Sequence, residues 1–258
     1  MNKIKALIFR LNIIVKIFIV SLPVFLSIGF VEKQQGEQDC RRIVVKVENT
    51  LGNYFIEEKD IINMVTHQGH QSFIGKSFKS IDMKAIEKNV NELKFVKNAQ
   101  VYRDLKGNLI VSVEQQRPIA RLVRPLAPDA YISEDGTILP TSGKYSARAI
   151  IIRGDYTDKI ISEGLTVKNK GTSLLKMLKY IDKNAYWRAL IAEIAIDRYG
   201  NMVLYPQVGK QEFIFGNSDE FETKFNKIQT FYDKIRPAKG WNHYARVNIK
   251  YKNQIICE

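Results

Sequence analysis

The longest apolar run of the chain covers Ile13 to Val31, and Lys16 is its only charge. At about 1.5 Å per residue, a helix over this run reaches roughly 28 Å, close to the ~30 Å hydrocarbon core of a bilayer. The pattern predicts a transmembrane helix over 13–31, preceded by a short basic tail over 1–12. Lys16 lies within a turn of the start, where a long side chain snorkels to the headgroups, and Pro23 is tolerated in membrane helices. Lys3, Lys5, Arg10 and Lys16 precede or open the run, and no acid does. The excess of cations predicts a cytoplasmic N-terminus, with everything from Glu32 onward on the other side. A cleaved signal peptide is the alternative, but Glu32-Lys33-Gln34-Gln35-Gly36 offers no small-x-small cleavage site. Both readings export the rest of the chain.

Beyond a linker over 32–40 the pattern changes to short alternations. Arg41 to Asn49 is rich in β-branched residues and ends in turn formers, which predicts a strand. Glu57 to Val65 has acids in its first turn and apolar residues at helical spacing. Asp82 is placed to cap a second helix, on which Ile86, Val90 and Leu93 share a face. Phe95–Arg103 and Leu109–Glu114 alternate as strands around a turn at Asp104 to Asn108. The first exported unit, over 41–118, therefore reads β-α-α-β-β.

From residue 119 to 258 strands dominate. Tyr131 to Pro140 forms a hairpin around Asp135-Gly136. Ala149 to Arg153 is an apolar strand, and Thr172 to Asp182 a helix with Leu174, Leu178 and Ile181 on one side. Ile191–Arg198, Asn201–Tyr205 and Gln211–Phe215 follow as strands. Asn217-Ser218-Asp219 then opens an amphipathic helix carrying Phe221, Phe225, Ile228, Phe231, Tyr232 and Ile235, which Pro237 is expected to stop. Ala245 to Tyr251 alternates again, and Gln254-Ile255-Ile256-Cys257 closes the chain. The fold class expected is α+β: one N-terminal membrane helix, a β-α-α-β-β unit, and a mixed β-sheet domain with flanking helices.

Charge and composition narrow the functions. Formal charge is +13, of which the four N-terminal cations supply four, leaving +9 for the exported part. That surplus suits acidic partners, anionic headgroups or wall polymers. Nucleic acid is not expected in an exported compartment, and no Lys/Arg stripe interleaved with aromatics is present. Cys40 and Cys257 are either two free thiols, the reading preferred, or a disulfide joining the ends of the exported region. No constellation suggests an enzyme. Gly75-Lys76-Ser77 resembles the end of a phosphate loop, but Gly69 stands five residues ahead rather than four and no strand leads in. His67 and His70 lack a third ligand nearby, and His243 stands alone. Glu57-Glu58 is explained by the helix start. Neither cofactor nor metal is expected.

Several phrases bear a resemblance. The first unit closes in Val113-Glu114-Gln115-Gln116-Arg117-Pro118-Ile119-Ala120. The second contains Asp135-Gly136-Thr137-Ile138-Leu139-Pro140, Ile150-Ile151-Ile152-Arg153-Gly154, Phe215-Gly216, and Val247-Asn248-Ile249-Lys250-Tyr251. Together they resemble the FtsQ/DivIB cell-division family, with a POTRA domain over 41–118 and an FtsQ-type β domain over 119–258. Gln115 and Gln116 loosen the junction by one residue, and Asn248, Ile249 and Lys250 are conservative departures from the family's final phrase. The resemblance implies a non-enzymatic, single-span scaffold of the bacterial divisome, in the inner membrane at the division septum. It also implies recruitment of FtsB-like and FtsL-like single-span partners and links to septal wall synthesis. Recruitment would proceed by strand addition at the last strand, Arg246–Tyr251, as an edge or near-edge strand, and through the POTRA unit. The residues it singles out for partner binding are Arg198, Arg246, Asn248, Lys250 and Tyr251. The rival is a POTRA-containing envelope protein of an export or assembly system, which normally carries a β-barrel for which the remainder is too short.

Overall fold

A computed structural model describes residues 18, 21–23, 38–48, 54–70, 72–165, 170–240 and 243–258. The predicted membrane helix falls almost wholly outside the described residues, as do the tail and most of the linker. Among the described residues no helix is long and apolar enough to cross a membrane. The chain divides into two compact units, with the main division at Glu114–Gln115.

The first unit contains β1 (Arg42–Glu48), α1 (Glu58–Val65), a 3-10 turn (Phe78–Ser80), α2 (Met83–Asn91), β2 (Val96–Arg103) and β3 (Asn108–Gln115). Its three-stranded sheet has the order β1-β3-β2, and β1 runs parallel to β3 from Arg42↔Asn108 to Glu48↔Glu114. A parallel pair needs a long crossover, and the two helices supply it. Ile61 and Val65 on α1, and Ile86 and Val90 on α2, are buried at i, i+4 spacing with Val45, Leu109 and Val111. Asp82 caps α2 as expected, accepting from the Ala85 N–H at 2.9 Å. Asp104 closes the β2–β3 turn by accepting from the Lys106 and Asn108 N–H groups, both at 2.8 Å. Gly75-Lys76-Ser77 is no phosphate loop. The Gly75 N–H donates to Cys40 O at 2.8 Å and the Cys40 N–H to Lys76 O at 2.9 Å, so the segment pairs with residues 38–40.

The second unit is built on nine strands: β4 (Pro118–Val123), β5 (Ala130–Ser133), β6 (Ile138–Pro140), β7 (Ile150–Arg153), β8 (Ile191–Ile196), β9 (Met202–Pro206), β10 (Glu212–Gly216), β11 (Arg246–Asn248) and β12 (Ile256–Cys257). Their order across the sheet is β12-β11-β10-β9-β8-β7-β4-β5-β6. The pairs β4–β7, β7–β8 and β10–β11 are parallel, the rest antiparallel. Helices fill two crossovers: α3 (Thr157–Glu163), α4 (Lys170–Lys183) and α5 (Ala185–Leu190) between β7 and β8, and α6 (Phe221–Thr230), a π-helical turn (Phe231–Ile235) and α7 (Arg236–Lys239) between β10 and β11.

Because strand side chains alternate faces, the register sorts each residue to one side of this sheet. One row reads Leu122, Ile152, Ile194, Leu204, Phe213, Val247, all fully buried. It shares one core with Met177, Leu178 and Ile181 of α4, Trp187 of α5 and Phe225 and Ile228 of α6. The neighbouring row reads Arg153, Ala195, Val203, Ile214, Asn248, Ile256 and is only partly covered. On the helical face, Phe213 meets Phe231 and Tyr232 with ring centroids 5.6 and 5.7 Å apart. Phe225 meets Phe215 and Trp187 at 5.3 and 4.8 Å.

The structure corrects three details. Asn217-Ser218-Asp219 does not cap α6: the Asn217 oxygens are taken by Lys224, whose Nζ donates to both at 2.9 Å, and the helix opens after Glu220 at φ 48. Pro237 does not stop the helix either. It sits at the start of α7, after the π-turn, whose wider spacing accommodates the proline ring and its missing N–H. The strand expected to run to Tyr251 ends at Asn248.

Candidate functional site

β7, β8, β10 and β11 all point the same way, so their C-terminal ends gather at one end of the large sheet, where β9 begins. A shallow groove of about 450 Å³ opens there on the half-covered face, lined by Asp155, Ala195, Asp197, Val203, Ile214 and Lys250 among others. Two glycines let the chain pass closely at this end. A Cβ on Gly154, at φ +114, would meet Ile196 O at 2.2 Å. One on Gly216, at φ +75, would meet the Lys250 Cβ at 3.1 Å. The Phe215-Gly216 and Val247 to Tyr251 phrases, thirty residues apart in sequence, thus meet in space.

Three of the five predicted partner residues sit at this end. Arg198 is carried on the β8–β9 turn, held by Asp197, which accepts from the Tyr199 N–H at 2.8 Å and the Asn201 N–H at 2.9 Å. Desolvation works to raise the Asp197 pKa, but these bonds and those from the Asn201 side chain outweigh it and hold the carboxyl below its ordinary value. Arg198 Nε lies 4.0 Å from Asp155 Oδ2, with both side chains largely exposed, a pair of little energetic weight. Lys250 projects from the turn after β11 with its Nζ 4.8 Å from the Tyr251 ring centroid. Tyr251 is 43% exposed, enough to offer a ring to a partner. The other two sit on β11 itself. Asn248 points to the same face and accepts from the Lys250 N–H at 3.2 Å. Arg246 lies at the far end of β11, 4.0 Å from Glu212.

Sequence reasoning missed Lys227. Its Nζ donates to Ile249 O at 3.2 Å and also to Tyr251 O, so a cation of α6 fastens the turn that carries Lys250 and Tyr251. No local signal marks it, since the bond spans more than twenty residues.

At the margin of the sheet, the strand beginning at Arg246 takes the near-edge place of the two expected. It lies one place in, because Asn253, at φ 61, turns the chain back and β12 pairs with β11 at Val247↔Cys257 and Asn248↔Ile256. Arg246 and Glu258 exchange backbone bonds at 2.9 and 2.8 Å. In such a ladder the intervening Cys257 turns its N–H and C=O outward. Cys257 and Cys40 are both free thiols, and burial pushes both pKa values up.

One edge of the first unit, that of β2, is capped by side chains. Asn91 of α2 donates to Ala99 O at 3.3 Å and accepts from the Ala99 N–H at 2.8 Å, while the Glu87 carboxylate accepts from the Val101 N–H at 2.9 Å. Side chains thus occupy backbone groups that β2 would otherwise present to another strand. Among the described residues no group of three or more His, Cys, Asp or Glu is arranged to hold a metal.

Fold and margin together define a class: a small β-α-α-β-β unit followed by a mixed sheet that ends on a short open strand. Residues 38–114 match the family model of the POTRA-like domain, and residues 117–258, more than half of the chain, match that of the FtsQ/DivIB C-terminal related domain. The chain belongs to the FtsQ/DivIB family, whose members are non-enzymatic division scaffolds. No curated protein matches it.

Proposed function

We propose that the chain is a single-span connector of the division machinery, held in the inner membrane by residues 13–31. Its outer strand β12 accepts a strand from an FtsB-like partner working with an FtsL-like one. The observation that carries this reading is the outward backbone of Cys257, on the edge of a nine-stranded sheet. Strand addition takes its affinity from such groups and its specificity from nearby side chains. Arg198 and Lys250 supply cations for partner carboxylates, and Tyr251 an aromatic anchor. Arg246 and Asn248 lie on the same strand face and extend the contact toward Glu212. Lysine at 250 is a point charge rather than a bidentate fork, so it steers more than it fixes geometry.

Co-purification with the FtsB-like partner from detergent-solubilised membranes tests it. Cys257→Pro removes an outward N–H while sparing the β11–β12 ladder, and should abolish capture. Arg198→Glu and Lys250→Glu should each weaken capture by about tenfold. Undiminished capture by all three variants would sink the edge reading. A fluorescent fusion should form a mid-cell band; uniform envelope signal with normal septation on depletion would favour the export-system alternative.

A further inference from the structure

The opposite end of the large sheet carries a second concavity. There β4, β7 and β8 begin, α4 ends and α5 passes over, enclosing a groove of about 510 Å³. The pairing of β7 with β8 starts only at Ile151↔Glu193, and β8 has a register shift between Ile191 and Glu193, so the strands splay at Ala149 and Ala192. Ala185 and Ala189 of α5 form the facing wall, and four alanines leave the space open. The floor is apolar, with Ile119, Leu178, Ile181 and Ile191 beneath it.

Charge on the rim is one-sided. Arg148 and Arg188 are exposed, and no carboxylate lies within ion-pairing distance of either among the described residues. Arg188 donates only to the Asp182 backbone carbonyl, at 2.8 Å. Asp182, the one acid of the lining, is already taken by Arg117 Nη2 at 2.6 Å, and Arg117 also reaches Glu134 at 3.1 Å. By contrast Arg121, Arg124 and Arg153 each have an acidic partner. Two guanidinium groups without an acidic partner, above an apolar floor, match a carboxylate next to a bulky apolar side chain. The volume of about 510 Å³ is suited to a short peptide segment of a few residues.

We infer that this groove is a second docking site, for a short peptide segment of a partner protein that carries a carboxylate beside an apolar residue. It lies at the other end of the sheet from Lys250 and does not depend on the strand-edge reading. The probe is a random heptapeptide display library selected on the full chain in detergent, with the winning peptide's affinity measured by fluorescence anisotropy. Acidic-apolar sequences should be enriched. Their binding should fall at least about tenfold for Arg148→Glu/Arg188→Glu and for Ala189→Phe, which fills the trough without touching the charge. Cys257→Pro should leave it unchanged. Absence of an enriched sequence overturns the proposal, as does equal binding to both groove variants. Loss with the charge reversal but not with Ala189→Phe also overturns it, by reducing the effect to unspecific anion attraction.

Discussion

Two sheet margins of this molecule present the same backbone chemistry and treat it in opposite ways. At β2 the N–H and C=O of Ala99 and the N–H of Val101 are occupied by Asn91 and Glu87 from the neighbouring helix. At β12 the outward groups of Cys257 have no strand partner among the described residues, and Lys227 of α6 instead fastens the preceding turn. An open edge is an aggregation hazard unless it is short or covered. The first unit caps its β2 edge with side chains. The second keeps its β12 margin to two residues. The two margins thus differ in what the neighbouring helix does with its polar side chains.

The largest way to break this contrast is to remove the support of the open margin. Phe213→Ala empties a fully buried site between Phe231 and Tyr232. It should cost about 3–5 kcal/mol in chemical denaturation, with loss of partner capture. Gly154→Ala should follow. Its Cβ would collide with Ile196 O at a φ that L residues rarely adopt, and a loss of about 1–3 kcal/mol in a urea melt is expected.

Opening the closed edge comes next. Asn91→Ala frees both backbone groups of Ala99 and should cost about 1–2 kcal/mol. Hydrogen exchange at the Ala99 amide should speed up while that at Leu109 keeps its protection; an unchanged Ala99 rate would mean that the side chain does not close the edge. Lys227→Met should cost about 1 kcal/mol and weaken partner capture more than its effect on the melting curve explains.

The smallest effect concerns pH. Asp104 and Asp197 both have pKa values below the ordinary carboxylate value, through turn hydrogen bonds from Asn108 and Asn201 respectively. A depressed carboxyl stabilises the fold above its unfolded pKa, and the contribution is lost as pH falls through the folded value. Denaturation midpoints should therefore be flat from neutral pH down to about pH 5 and decline below about pH 4, with a smaller decline in Asp197→Asn.

Much of this was legible along the chain. Strongly periodic segments were found because burial of one face leaves a direct trace. Asp82 was readable as a cap because the bond it makes is local. β4 was passed over because Pro118 and the polar residues before it look like a boundary, and only the β5 and β7 neighbours show it to be a strand. α3 and α5, of seven and six residues, are too short to display a period. The site was half legible: the Lys250 and Tyr251 phrase was visible, but the strand that covers Arg246 to Asn248 was not placed.

By itself the sequence determined the identity of the main elements, the apolar row that each strand buries and the division into a β-α-α-β-β unit and a mixed sheet. These rest on propensity and periodicity, which act over a few residues. Tertiary structure alone decided which strands pair in parallel, which margin stays open, and that Arg148 and Arg188 stand unpaired over a trough of alanines. Each depends on contacts between residues tens of positions apart. No local pattern encodes where polar groups find partners tens of residues away, or fail to.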